Sequence, residues 1–69
     1  MTDSDLKTLQ GFLDRNGGLD SHSNKDLMDE AICAGAGSYR CERALQTLAY
    51  NLRREGRRDL AENVEYYLK

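Results

Sequence analysis

Proline and tryptophan are absent from this chain of 69 residues, and phenylalanine and histidine occur once each. Without proline nothing locks φ or removes a backbone donor, so helices can run until a glycine stops them. No run alternates β-branched and polar residues, and nothing reads as a strand. One histidine and two cysteines leave few soft ligands, and the spacing of His22, Cys33 and Cys41 matches no zinc pattern. The same scarcity offers no base beside a nucleophile, so the expectation is a non-enzyme with no metal and no cofactor. No apolar run approaches the ~20 residues of a membrane span, and the acidic start Met1-Thr2-Asp3-Ser4-Asp5 is unlike a signal peptide. A cytoplasmic protein that makes no membrane contact is expected. Its two thiols should stay reduced and behave as small buried hydrophobes.

What is present is 39% hydrophobic and 32% charged residues, the composition of one folded domain. A domain this short buries only ~60% of the surface its unfolded chain exposes. Burial between subunits would supplement so thin a core, which makes a homodimer the expected state.

Leu6, Leu9, Phe12 and Leu13 recur at helical spacing behind Thr2 or Ser4 as cap, placing a first helix at about residues 3–16, closed by Gly17-Gly18. The polar stretch from Asp20 to Asn24 reads as a loop, with Ser23 or Asn24 capping a second helix that turns Leu27, Met28, Ala31 and Ile32 inward. Gly35-Ala36-Gly37 breaks that helix and Ser38 caps a third. There Cys41, Leu45, Leu48 and Leu52 form a narrow seam of the kind that packs on a partner helix. Gly56 ends it, and a fourth helix carries Leu60, Val64, Tyr67 and Leu68. The fold class is all-α, a small bundle of three to four short helices in one domain spanning residues 1–69.

Charge is divided along the chain. Residues 1–30 hold three cations against seven acids, and residues 31–69 hold seven cations against five acids. An acidic and a basic face follow, suited to contact with an acidic partner or between subunits. Arg53, Arg54, Arg57 and Arg58 flank Gly56 and are candidates for contact with an acidic partner or a phosphate. Glu55, Asp59 and Glu62 are interleaved with them and can neutralise much of that charge, leaving a solvated loop as the alternative.

Two further groupings stand out. Ala31-x-x-x-Gly35, a short turn, and a helix opening Ser38-Tyr39-Arg40 with Arg43 one turn on have the outline of a helix-turn-helix, although Glu30 occupies a normally apolar place. An ordinary helical hairpin accounts for the same residues. Leu19, Met28, Ile32 and Tyr39 can gather at the mouth between the first two helices and the third. With Arg40 and Arg43 they form the candidate partner-binding set, or else they fill the core.

The run Leu9-Gln10-Gly11-Phe12-Leu13-Asp14-Arg15-Asn16-Gly17-Gly18-Leu19, then Leu27-Met28-Asp29-Glu30-Ala31-Ile32, a glycine break and two leucine-spaced helices resembles the small enterobacterial connector proteins of biofilm formation and acid resistance. That resemblance implies a short, helical, dimeric regulator acting through a response regulator of a phosphorelay. The expected function is that of a non-enzymatic regulatory protein, in transcription or signalling, which binds and modulates another protein. A helix-turn-helix DNA-binding regulator is the alternative; a phage-encoded inhibitor of a host regulator is a third reading, since the chain is similar in style to such proteins.

Overall fold

Three of the four helices begin at a hydroxyl side chain that accepts an otherwise unpaired amide hydrogen. The computed structural model describes all 69 residues: α1 (Asp3–Arg15), α2 (His22–Ala34), α3 (Tyr39–Arg54) and α4 (Arg58–Leu68), with no strand. Thr2 caps α1 in a capping box, its Oγ1 accepting from Asp5 N–H while Asp5 Oδ2 accepts from Thr2 N–H. Ser38 caps α3 through Cys41 N–H. For α2 the cap is Ser21, two to three residues earlier than Ser23 or Asn24, because the helix takes in the polar stretch that reads as loop. His22 is therefore the first residue of α2, although it remains at the surface.

The helices form a ring. α3 packs along α2 and α4, α1 packs along the same two, and α1 and α3 stand diagonally opposite. Asp3 Oδ1 accepts from Ala36 N–H at 2.9 Å, so the start of α1 and the α2–α3 turn share one end of the bundle. The α1–α2 and α3–α4 turns meet at the other end, and the chain runs up, down, up and down. Fourteen buried apolar residues make one core; α3 contributes Cys41, Ala44, Leu45, Leu48, Ala49 and Leu52. The 41-45-48-52 seam is thus consumed inside the single chain and is not free to pack on a second one.

An internal repeat underlies the ring. Leu6-Lys7-Thr8-Leu9, Leu13 and Gly17 recur 39 residues later as Leu45-Gln46-Thr47-Leu48, Leu52 and Gly56. The copies match in detail: Thr8 Oγ1 donates to Ser4 O at 3.0 Å and Thr47 Oγ1 to Arg43 O at 3.1 Å. Both helices end in the same Schellman closure, in which Gly18 N–H donates to Leu13 O and Arg57 N–H to Leu52 O, each at 2.8 Å. Gly17 and Gly56 supply the left-handed residue at φ 78° and 81°. The molecule is two helical hairpins, α1–α2 and α3–α4, the second with the shorter turn.

One polar side chain lies in the interior. Asn24 is fully buried; its Nδ2 donates to Gly18 O and to both carboxylate oxygens of Glu55, all at 3.1 Å, and its Oδ1 accepts from Asn51 Nδ2 at 3.2 Å. It clasps the α1–α2 turn to the end of α3. Gly18 itself is buried beneath Leu60 Cδ1, which would lie 3.0 Å from an added Cβ, so the first turn of α4 packs tightly over it and would have to shift to admit a side chain.

Candidate protein-binding surface

A helix packed between two neighbours in a bundle keeps one stripe for solvent, and on α3 that stripe is unusually organised. Tyr39, Arg43, Tyr50 and Arg54 fall within about 60° of one another around the helix axis, since steps of four, seven and four residues return to nearly the same face. Tyr39 is 72% and Tyr50 60% exposed. Each ring carries the guanidinium one turn on: Arg43 Cζ lies 5.9 Å from the Tyr39 centroid and Arg54 Cζ 5.7 Å from that of Tyr50. Arg43 also donates to the Tyr39 hydroxyl at 3.3 Å. The i, i+4 spacing fits a long flexible cation onto the flat face behind it. Neither Arg43 nor Arg54 has a carboxylate within ion-pair distance.

The flanks have the opposite sign. On the α2 side Arg40 faces Glu30 at 3.7 Å, with Asp26 exposed one turn earlier on the same helix. On the α4 side Arg53 makes a two-pronged bond to Glu65, with Nε to Oε2 at 3.3 Å. That bond, more than simple charge attraction, holds the Glu65 carboxyl below its ordinary pKa and raises Arg53. The result is a narrow cationic and aromatic ridge between two acidic or neutralised borders.

The expected partner-binding set is divided by this arrangement. Tyr39, Arg40 and Arg43 are exposed on α3 as a surface site requires. Met28 is fully buried and belongs to the core; its place on the α2 stripe with Asn24 and Ala31 points it inward, so it forms no part of a rim. Leu19 and Ile32 are half-buried against that core. Leu19 lines a groove of about 420 Å³ between α1 and α2 with Lys7, Gln10, Asp14, Lys25 and Asp29, on another side of the molecule from Tyr39.

The arginine quartet does not converge either. Arg53 is taken by Glu65, Arg54 lies over Tyr50, Arg57 sits 3.6 Å from Asp59, and Arg58 makes no ion pair. Four consecutive-looking cations diverge because they straddle a helix end, with Arg53 and Arg54 100° apart and the others beyond Gly56. Cys33 also departs from expectation: it is exposed, since five residues after Met28 the helix has turned to its outer side. Cys41 is buried, and burial first, then Asp3 and Glu42, pushes its thiol pKa up. Residues of the kind that bind metals do not gather in threes anywhere.

Tyr50 is the member of this candidate surface that sequence reasoning missed. Its signal was the repeat of tyrosine followed four residues later by arginine, eleven residues apart on one helix. No helix is long and apolar enough to cross a membrane. Compared with known proteins, the chain matches no family model, no curated protein and no solved structure.

Proposed function

We propose that this is a non-enzymatic regulatory protein that binds another protein through the outer face of α3, presenting Tyr39, Arg43, Tyr50 and Arg54 to an acidic segment of its partner. The observation that carries this reading is the pair of stacked tyrosine–arginine units on an exposed helix whose other face is locked in the core. Tyrosine and arginine are the side chains that most often dominate binding energy when a partner covers them. Here the rings are already held by their cations, which lowers the ordering cost of association. Two arginines without carboxylate neighbours ask for carboxylates from outside, and the acidic borders favour basic groups to either side of them.

Duplex DNA is the competing occupant of the same ridge, with α2, the turn and α3 as a helix-turn-helix and Tyr39, Arg40 and Arg43 towards the groove. The borders argue against it: phosphates flanking the groove would meet Asp26 and Glu30 on the α2 side, and on the α4 side only the already paired Arg53 and Glu65. The test is affinity capture from the native host with the parent chain and with Arg43→Glu/Arg54→Glu in parallel. A partner held by the parent and lost by the variant, whose helicity is unchanged, supports the reading. Equal capture by both removes it, and salt-sensitive retardation of duplex DNA by the parent alone would transfer the face to nucleic acid.

A further inference from the structure

We propose that the same ridge also pairs with itself, α3 lying antiparallel on α3 of a second copy about a two-fold axis, so that the chain hides its own binding face when concentrated. The proposal rests on reading this face as the interaction surface. Its argument is one of register. Tyr39 and Arg54 are equally distant from the midpoint between Gln46 and Thr47, and so are Arg43 and Tyr50. Two-fold pairing about that midpoint therefore sets Tyr39 against Arg54 of the second copy and Arg43 against Tyr50 of the second copy, each twice over. Every cation meets a ring. Sliding one copy by four residues sets Arg43 against Arg54 of the second copy in one direction and Tyr39 against Tyr50 of the second copy in the other, so either slip loses the cation–ring pairs.

Each guanidinium then lies between two aromatic rings, its own one turn back and one from the other copy, and the intrachain stacking at 5.9 and 5.7 Å has placed it there in advance. The two-fold brings α2 borders together and α4 borders together. Glu30 sits beside Arg40, which this register sets level with Arg53 of the second copy, so the two Glu30–Arg40 pairs stay about 20 Å apart along the axis and do not meet. On the α4 side Arg53 and Glu65 arrive already paired. The area is small: sixteen residues of helix are about 24 Å long and about 10 Å across, well below the roughly 800 Å² per partner of a standard interface. The pair is accordingly weak, with dissociation in the micromolar-to-millimolar range, and an acidic partner of ordinary affinity displaces it.

Sedimentation equilibrium of the purified chain from about 10 μM to about 1 mM, a span that brackets such affinities, tests this. A reversible dimer should appear, and Arg43→Ala should weaken it roughly 5- to 30-fold because the two-fold removes the contact twice. In a Cys33→Ser background, Gln46→Cys should cross-link two copies on mild oxidation, since the axis puts these Cα atoms about 6 Å apart. Arg58→Cys, at the far end of the bundle, should not. A monomer throughout this range, a dimer indifferent to Arg43→Ala, or failure of Gln46→Cys to cross-link overturns the pairing. No partner enters the experiment, so a monomer that still captures an acidic partner sinks self-pairing alone, and a dimer that captures nothing sinks the partner reading alone.

Discussion

Replacing Asn24 by alanine removes every bond of the one polar side chain in the core. In the parent, its amide satisfies the carbonyl of buried Gly18 and braces Glu55, while its oxygen accepts from Asn51. After Asn24→Ala the exposed Glu55 regains water, but the Gly18 carbonyl and the half-buried Asn51 amide lose their partners. A buried polar group left unpaired costs about 1–3 kcal/mol, so the total should be roughly 2–4 kcal/mol. A domain of this length holds only about 3–10 kcal/mol in all. At ~4–8 °C per kcal/mol, the melting midpoint by far-UV circular dichroism should fall by about 10–25 °C. Asn24→Asp keeps the shape and the acceptor but aims a buried carboxylate at that of Glu55. Burial and the like charge raise the folded-state pKa of the introduced group above its unfolded value. Its penalty is therefore greatest at neutral pH and fades as pH falls below that raised value, when the proton restores a donor. Relative to the parent at each pH, Asn24→Asp should recover between about pH 7 and about pH 4 while Asn24→Ala does not. A midpoint for Asn24→Ala within about 3 °C of the parent would refute the clasp as a significant source of stability.

Leu48 is fully buried in mid-α3, so Leu48→Ala should cost about 2–5 kcal/mol, whereas Tyr39→Ala, at a ring 72% exposed, should cost about 1 kcal/mol or less in thermal melts and act on partner capture instead. Titration with a disulfide reagent should find one thiol reacting at once, that of Cys33, and a second reacting only on unfolding, because Cys41 is buried with a raised pKa. Glu65 has a depressed folded-state pKa, so its bond to Arg53 stabilises the fold above the ordinary carboxylate range and is lost as pH falls through the lower folded value. Glu65→Gln should therefore flatten that part of the acid-stability profile, and an unchanged profile would show that Arg53 and Glu65 do not stay paired in solution.

The glycines and leucines carried most of the fold. Gly17, Gly35 and Gly56 punctuate a chain that has no proline, and between them the leucines of α1 and α3 hold a period only a helix satisfies. The start of α2 was obscured because Asn24 favours caps and turns in isolation, and here the closure of two turns upon it supplies long-range partners, Glu55 and Asn51, that local spacing does not show. The seam on α3 was legible as apolar, but periodicity does not say whether a helix of the same chain or of another covers it. Met28 was left between rim and core for a related reason: an apolar residue on a helix face reads alike in either place. The candidate ridge was half visible, since Arg40 and Arg43 near Tyr39 stood out as charge, while Arg54 read as part of an arginine cluster and Tyr50 carried no signal in the apolar seam.

The duplicated hairpin has a consequence for how the fold is held. Neither hairpin has a second layer of its own, and the leucine lines of α1 and α3 are fully covered only when the halves close into the ring. The molecule is thus an association complex folded into one chain, and the Gly35-Ala36-Gly37-Ser38 turn is its tether. A tether this short presents one half to the other at an effective concentration in the millimolar range or above. Severing it would leave the fourteen-residue core in place and convert a unimolecular equilibrium into a bimolecular one, whose midpoint then moves with protein concentration.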